Sequence, residues 1–469
     1  MKKLLSIVAL FLVGLSLSAQ VYFEEENGIK FSVYQTTENK AFQQIRTTPF
    51  TRHGYSDIRY IDLDSSKASH DYFGCGVSLT DASCWILSQM RSGARKRLLK
   101  DIFTTDGLNL SMVRLNCGAS DYSTALYNYN DVAGDVEMKN FSVARDEAYM
   151  IPVIKQACSY RSDMYIYSAV WSEPGWMKDS GSMCGGRLLD EYLQAYANYM
   201  AAYVKAYKDR GIEIHAMSTH NEPNTDQEGG CPATLISASQ EIQLIGKHFP
   251  EAFSKAGVDT KIWAWDHSWS GWERVLQVLE KDDVRKYVDA VAWHPYTGEA
   301  PMMRNVSKVY PDMVMHLTER GPSLPMKDIQ TPKWFADLIF DSLNYGCSSY
   351  SAWNLALDPD GHPNTGKFAC GGLVEVDLST FDLTYSHQYT VFKHFTPYVQ
   401  RGAKILAYES QDYDLATISF LNPDGKYVIC VAAGKKTDRQ RVQIKYKGQY
   451  LLLPLPLDTW SLTTVIIEP

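Results

Sequence analysis

From Phe73 onwards, short apolar runs recur at 73–79, 111–116, 164–171, 214–219, 261–265, 288–294, 313–318 and 348–354. Runs of this length, rich in β-branched and aromatic residues and bounded by turn-forming residues, read as buried strands. Between most of them the apolar positions fall at helical spacing, over 85–101, 145–160, 188–210, 234–256, 271–286 and 331–345. The link over 297–311 and the stretch after Trp353 are less regular, with a helix expected to start near Tyr385. Alternating strands and helices build a parallel sheet, and eight such units in about 320 residues match a closed (β/α)8 barrel with long loops. A doubly wound open sheet is the alternative, but it gives no reason to stop at eight.

Outside this region the pattern changes. Val21–Thr36 and Ile58–Asp64 alternate apolar and polar residues with no helix between them. After Ala403, strand-like runs return at Lys404–Tyr408, Leu415–Leu421, Tyr427–Ala433, Arg441–Tyr446 and Leu462–Glu468, separated by turns such as Asn422-Pro423-Asp424-Gly425. The N-terminal strands cannot bury a face alone, so they are expected to pair with the C-terminal set. The expected fold class is therefore α/β: a (β/α)8 TIM barrel with a β-sandwich side domain built from N- and C-terminal strands. The boundaries read as 20–65 and 401–469 for the two parts of the sandwich and 66–400 for the barrel.

Residues 1–19 read as a leader. Lys2 and Lys3 precede an apolar stretch from Leu4 to Leu17 and then Ser18-Ala19-Gln20, which is the charged, apolar and small-residue order of a cleaved signal peptide. That implies export, to a periplasm or out of the cell. No other apolar run is long enough to span a bilayer, so no membrane insertion is expected. The formal charge is −8 and no basic stripe is visible, which argues against a nucleic-acid partner. The nine cysteines show no paired short spacing, so a zinc ribbon is not indicated. Cys75, Cys117 and Cys347 read as small buried hydrophobes, while Cys184 and Cys231 lie in Gly-rich loops where a disulfide would be compatible. No signal fixes the oligomeric state.

Catalytic groups of such a barrel sit at the C-terminal tips of its strands. The tips carry Thr80-Asp81, then Arg114 and Asp121, Trp171, Asn221-Glu222, Asp266-His267, His294 and Tyr296, Glu319, and Trp353-Asn354. Two glutamates, Glu222 and Glu319, thus face each other across the mouth from the fourth and seventh strands. Glycoside hydrolysis needs such a pair: one carboxyl protonates the leaving oxygen and the other attacks, at a separation of about 5–5.5 Å in retaining enzymes. The acid is expected to be pushed upward in pKa and the nucleophile to stay ionised, held by Arg114. The blander reading is a pair of rim glutamates bound to Lys or Arg. His215 and His220 read as ordinary polar contacts, with no metal-site spacing. Trp263, Trp265, Trp269 and Trp272 gather around the fifth strand, as a sugar-stacking platform or as packing, and alternation puts Trp263 and Trp265 on one face.

Several stretches together resemble glycoside hydrolase family 30, in its branch related to lysosomal glucosylceramidases and bacterial or fungal β-1,6-glucanases. They are Phe73-Gly74-Cys75-Gly76-Val77-Ser78-Leu79-Thr80-Asp81-Ala82, Met112-Val113-Arg114, Ser120-Asp121-Tyr122-Ser123, Ile151-Pro152, Ser172-Glu173-Pro174-Gly175-Trp176-Met177-Lys178, Asn221-Glu222-Pro223 and Trp353-Asn354-Leu355-Ala356-Leu357-Asp358-Pro359-Asp360-Gly361. The last is the most specific. The resemblance implies retaining chemistry on a carbohydrate substrate, with no metal and no cofactor. By the same resemblance Glu222 is similar to the acid/base and Glu319 to the nucleophile, with Asn221 binding the sugar 2-hydroxyl. Asp121, Trp171 and Trp353 resemble the lining of the glycone subsite, with His294 and Tyr296 near the nucleophile. Cys75 and Val77, His220, and Arg320 depart from the family pattern and leave the substrate open. β-Glucosidic bonds are expected, with β-1,6-glucan ahead of glucosylceramide-type aglycones. A xylan-type hydrolase and a sugar-binding protein without catalysis are the alternatives.

Overall fold

The computed structural model describes residues 24–26, 28–406, 415–435 and 441–469. The expected leader, the start of the first N-terminal run and residues 407–408 of the Lys404–Tyr408 run lie outside the described residues.

Eight parallel strands close into a barrel: Gly74–Ser78, Met112–Cys117, Tyr165–Val170, Ala216–Ser218, Lys261–Ser268, Val288–His294, Val314–Leu317 and Cys347–Ala352. They coincide with the eight predicted runs. The lower interior is a layer of Met112, Tyr167, Ala216, Trp263, Ala290 and Ala292. Three alanines leave room for Trp263, whose ring lies 4.3 Å from His316 and 4.8 Å from Tyr167. The barrel is thus a packed core with no pore, and groups above this layer must emerge at its C-terminal face.

The helices appear where periodicity places them but are more divided. The first segment splits into Asp81–Gln89 and Ser92–Phe103, and the former is capped by the Thr80 hydroxyl accepting from the Ser83 amide. The 234–256 segment passes from Ala238–Gln243 through one π turn, Leu244–His248, into Phe249–Ala256. Pro250 sits at the start of the last piece, where its missing N–H breaks the regular ladder. The irregular 297–311 link holds two short turns, Ala300–Met303 and Arg304–Ser307. The helix expected near Tyr385 runs over His387–Phe395, capped by Ser386.

The side domain joins both ends of the chain. Ile29–Thr37 pairs antiparallel with Ser461–Ile467, Ala68–Asp71 with Lys404–Leu406, and Tyr60–Asp62 runs parallel to Arg441–Tyr446. An eight-stranded sheet and a three-stranded sheet enclose a core of Phe31, Val33, Ile61, Ile429, Val431, Ile444, Leu451 and Val465. Alternate residues on the other face of the large sheet, Ile418, Phe420, Val428, Cys430 and Ala432, merge with the barrel core. Phe420 stacks on Phe395 at 5.8 Å and meets Tyr72 edge-on at 5.3 Å. Strands Lys40–Ile45 and Gln449–Pro454, and a small sheet of Ala356–Leu357, Val374–Val376 and Leu383–Tyr385, add to the predicted set. Cys75, Cys117 and Cys347 are buried as expected, and burial pushes the Cys75 thiol up to about 12 in pKa and the Cys347 thiol well above its usual range. Cys184 and Cys231 are free thiols in adjoining loops.

Candidate active site

The strand tips surround a cavity of about 640 Å³ lined by Asp121, Trp171, Asn221, Glu222, Tyr296, Glu319 and Trp353, among others. The main chain is bent to aim these groups. Glu222 has φ +48°, and Trp265 and Asp266 have φ +76° and +64°, left-handed conformations that non-glycine residues adopt when tertiary contacts hold them. The Glu222 amide donates to the Asp266 carbonyl at 3.1 Å, tying the fourth tip to the fifth.

Arg114 organises the floor. Its guanidinium is fully buried and donates through Nη1 to Glu319 Oε2. Through Nη2 it donates to Asp266 Oδ2 at 2.8 Å and to Asn221 Oδ1 at 2.7 Å. Buried charges persist only when paired in this way. The expected Arg114–Glu319 ion pair therefore forms, with Asp266 as a second counter-ion. The remaining oxygen of Glu319, Oε1, accepts from the Tyr296 hydroxyl at 2.8 Å. Because Asn221 must present its oxygen to Arg114, its amide nitrogen faces the cavity with no protein partner among the described residues. Trp171 and Trp353 stack at 5.2 Å, and the Arg114 guanidinium lies 4.7 Å from the Trp171 ring.

Glu222 is held differently. His294 Nδ1 lies 3.1 Å from its Oε1, and Gln227 Nε2 donates to Oε2 at 2.8 Å. His267 Nδ1 is 3.2 Å from Oε1 but makes no well-directed hydrogen bond. The other nitrogen of His294 faces Asp266 Oδ1 at 3.2 Å and lies 3.9 Å from Glu319 Oε2. An imidazole bonded to carboxylates on both sides must carry two N–H groups, or one carboxyl must hold the proton. Burial alone would lower the His294 pKa, but the charge of Glu319 and the bonds to Asp266 and Glu222 outweigh it and raise it to about 9. Burial would raise Glu222, but its two imidazole neighbours outweigh that and hold it well below the usual carboxylate range. Burial likewise opposes, and Arg114 and His294 overcome, the ionisation of Asp266. This corrects the expectation of an acid pushed upward. With Glu222 ionised, the available proton rests on His294, one hydrogen bond from Glu222.

A model of the glycosyl hydrolase family 30 TIM-barrel domain matches residues 72–398. The chain belongs to this family. It is a glycoside hydrolase. Among its relatives, an endo-1,6-beta-D-glucanase of Neurospora crassa is 29% identical over 398 residues, covering 82% of this chain and 80% of that protein. A putative glucosylceramidase 1 of Caenorhabditis elegans is 28% identical over 392 residues, covering 79% and 75%. The fold of SrfJ from Salmonella typhimurium superposes with a TM-score of 0.87 at 23% identity, over 94% of this chain and 100% of that one.

Within this family-30 barrel, all eight predicted site residues meet in one place. Seven line the cavity, and the eighth, His294, lies buried directly beneath it, linking Glu222 to Asp266. Asp121 is buried, its Oδ1 has no partner, and burial together with the charges of Glu319 and Glu222 raises its pKa well above the usual range. Arg114, Asp266 and His267 complete the site. Each was visible at a strand tip, but only the closed barrel shows that they meet Glu222 and Glu319. Asp81 serves a different purpose. It binds Arg145, Tyr149 and Thr124 and anchors the loops after the second strand. His215 accepts from the Ile166 amide and His220 contacts the Asn221 carbonyl, the ordinary polar roles expected of them.

The four tryptophans around the fifth strand are packing groups, and none lines the cavity. Trp263 and Trp265 do not share a face. Trp263 fills the barrel interior and Trp265 joins the outer core, because left-handed residues and a register shift at Trp265–His267 break the alternation. Glu222, His267 and His294 place ligand-capable atoms within 4.8 Å of one another. A divalent ion held there would withdraw Glu222 from proton transfer.

Proposed function

We propose that the chain cleaves β-glucosidic bonds by double displacement, with Glu319 as nucleophile and Glu222 as acid/base. The observation that carries this reading is the unlike support of two carboxylates across one cavity: Glu319 on a guanidinium and a phenol, Glu222 on imidazoles and an amide. In the first step a Glu319 oxygen bonds to the anomeric carbon as the glycosidic bond breaks, and Glu222 gives its proton to the leaving oxygen. That proton reaches Glu222 from His294 Nδ1 along the existing 3.1 Å contact when a sugar displaces water and the separated charges lose solvation. In the second step Glu222 takes a proton from water, whose oxygen bonds to the anomeric carbon and releases Glu319.

The Asn221 amide nitrogen is placed to donate to the sugar 2-hydroxyl, and the unpartnered Asp121 Oδ1 to accept from hydroxyls at the far side of the ring. An acceptor left unpaired by a deoxy analogue penalises that analogue strongly. The stacked Trp171 and Trp353 supply apolar walls for the ring faces. β-1,6-Glucan is favoured as the natural polymer and a glucosylceramide-type glycoside second, matching the activities named for the fungal and nematode relatives. The leader pattern of residues 1–19 supports action outside the cytoplasm. Among the described residues no helix is long and apolar enough to cross a membrane. Incubation with β-1,6-glucan, laminarin, xylan and glucosylceramide, followed by identification of released sugars, tests the assignment. Glucose or gluco-oligosaccharides from β-1,6-glucan support it. Release from xylan alone removes the glucose assignment, and release from glucosylceramide alone reverses the ranking.

A further inference from the structure

We propose that Arg320 is a binding site for an oxyanion, a carboxylate, sulfate or phosphate, on the leaving-group part of the substrate. The other cationic side chains at the cavity are paired, His294 beneath it by Glu222 and Asp266. Arg114 beneath its floor is bound by Glu319 and Asp266, and Lys367 on its rim lies 3.1 Å from Glu228. Arg320 also lines the cavity, yet no carboxylate lies within 4.0 Å of its guanidinium among the described residues, and its buried Nε has no hydrogen-bond partner. Its contacts are the faces of Tyr296 at 5.1 Å and Trp334 at 5.2 Å. Two rings hold the planar group in place without using its N–H groups. A half-buried guanidinium fixed in this way keeps its donor fork free for a bidentate acceptor.

The position relative to the scissile bond follows from the strands. Asp121, Trp171 and Trp353, from the second, third and eighth strands, form the end that would take the glycone. Arg320 follows the seventh strand and leans over Tyr296, from the sixth, and Trp334, on the helix after the seventh. In the closed strand order the sixth strand stands opposite the second, so an Arg320 side chain turned toward Tyr296 is turned away from Asp121, and Ser323, Pro325 and Met326 line the same cavity. A group that reaches it belongs to the aglycone. This inference rests on the reading of the cavity as a β-glucosidase site and concerns acidic aglycones taken in addition to neutral β-1,6-glucan, which would leave Arg320 unused.

The test is a substrate–variant cycle with 4-carboxyphenyl and 4-carbamoylphenyl β-glucosides on the wild type and on Arg320→Met. Differences in leaving-group reactivity cancel in the double ratio. Loss of a charge-assisted pair should lower kcat/KM for the carboxylate by about tenfold more than for the carboxamide. Arg320→Lys should recover part of the difference. An equal loss on both substrates would make Arg320 a prop for Tyr296 and overturn the proposal. Should the variants not fold, wild-type inhibition by the corresponding 1-thio-β-glucosides gives the same comparison. The carboxylate should bind more tightly at low salt, with the advantage shrinking as salt is raised. A carboxamide that binds as tightly at every salt concentration overturns it. A β-glucosyl glucuronate disaccharide and a β-glucosyl glycerophosphate then separate an acidic glycan from a lipid-headgroup source, by which one loses more kcat/KM in Arg320→Met. No turnover of any β-glucoside would remove the functional reading. Turnover without charge discrimination would remove this inference alone.

Discussion

His294→Gln probes the proton inventory of the site. The imidazole is fully buried between Glu222 and Asp266, so solvent screens its interactions little. Its displacement from 6.5 to about 9 corresponds to about 3 kcal/mol of preference for the charged form in the folded state. The sign follows from the direction. A folded-state pKa raised above the unfolded value gives stability that is complete below about pH 6.5 and lost as pH rises through about 9. The neutral amide of Gln cannot titrate and donates through one nitrogen only. The wild type should therefore exceed the variant in Tm by several degrees more at pH 6 than at pH 9.5, measured by paired thermal melts in constant ionic strength. In parallel, wild-type kcat/KM on an aryl β-glucoside should fall as pH rises toward about 9, when the last proton shared by His294 and Glu222 leaves. A Tm gap independent of pH over this range would mean that His294 is neutral in the folded protein, and the proton path through Nδ1 would fail with it.

Three further outcomes follow from the same contacts. Glu222→Gln should be much slower on glycosides with poor leaving groups than on activated aryl glycosides, which need little protonation, and an equal loss on both would count against its role. Asp121→Asn should lose about 1–3 kcal/mol of discrimination against deoxyglucosides relative to glucosides, read as a ratio of kcat/KM values. Truncation after Gly402 should yield insoluble or partly unfolded protein, because it strips Phe420 from Tyr72 and Phe395 and removes the Ser461–Ile467 partner of Ile29–Thr37. A soluble, fully active product of that truncation would show the side domain to be dispensable.

The barrel was legible because its strands are buried almost throughout and therefore read as mostly apolar runs, as at Met112–Cys117, broken by Arg114 and Asn116, and Val288–His294, where Asp289 alone is exposed. The side domain was legible in outline from alternation in Ile29–Thr37 and from short turn-bounded runs such as Tyr427–Ala433. Lys40–Ile45 and Gln449–Pro454 were not, since the first has no buried residue and no regular alternation, and the second runs through three consecutive leucines to a proline. The eight site residues were found from their places at strand tips and from the family resemblance. What could not be read were interactions between tips distant in sequence. Arg114 meets Glu319 205 residues away and Asp266 152 residues away. The ionisation of Glu222 depends on His294, 72 residues on, so a rule drawn from carboxylate pairs alone gave the wrong direction. Trp265 shows the same limit locally. Its left-handed backbone, set by the barrel, defeats the alternation rule.

The assignment of Glu319 as nucleophile is tested most directly by azide rescue of Glu319→Ala. Without the carboxylate no covalent intermediate forms, and turnover of an activated aryl β-glucoside should nearly vanish while fold and ligand binding persist. Added azide should restore turnover by attacking from the vacated side, and the product identified by NMR should be the α-glucosyl azide. A β-glucosyl azide would contradict the account, because it would mean that Glu222 and Glu319 exchange roles.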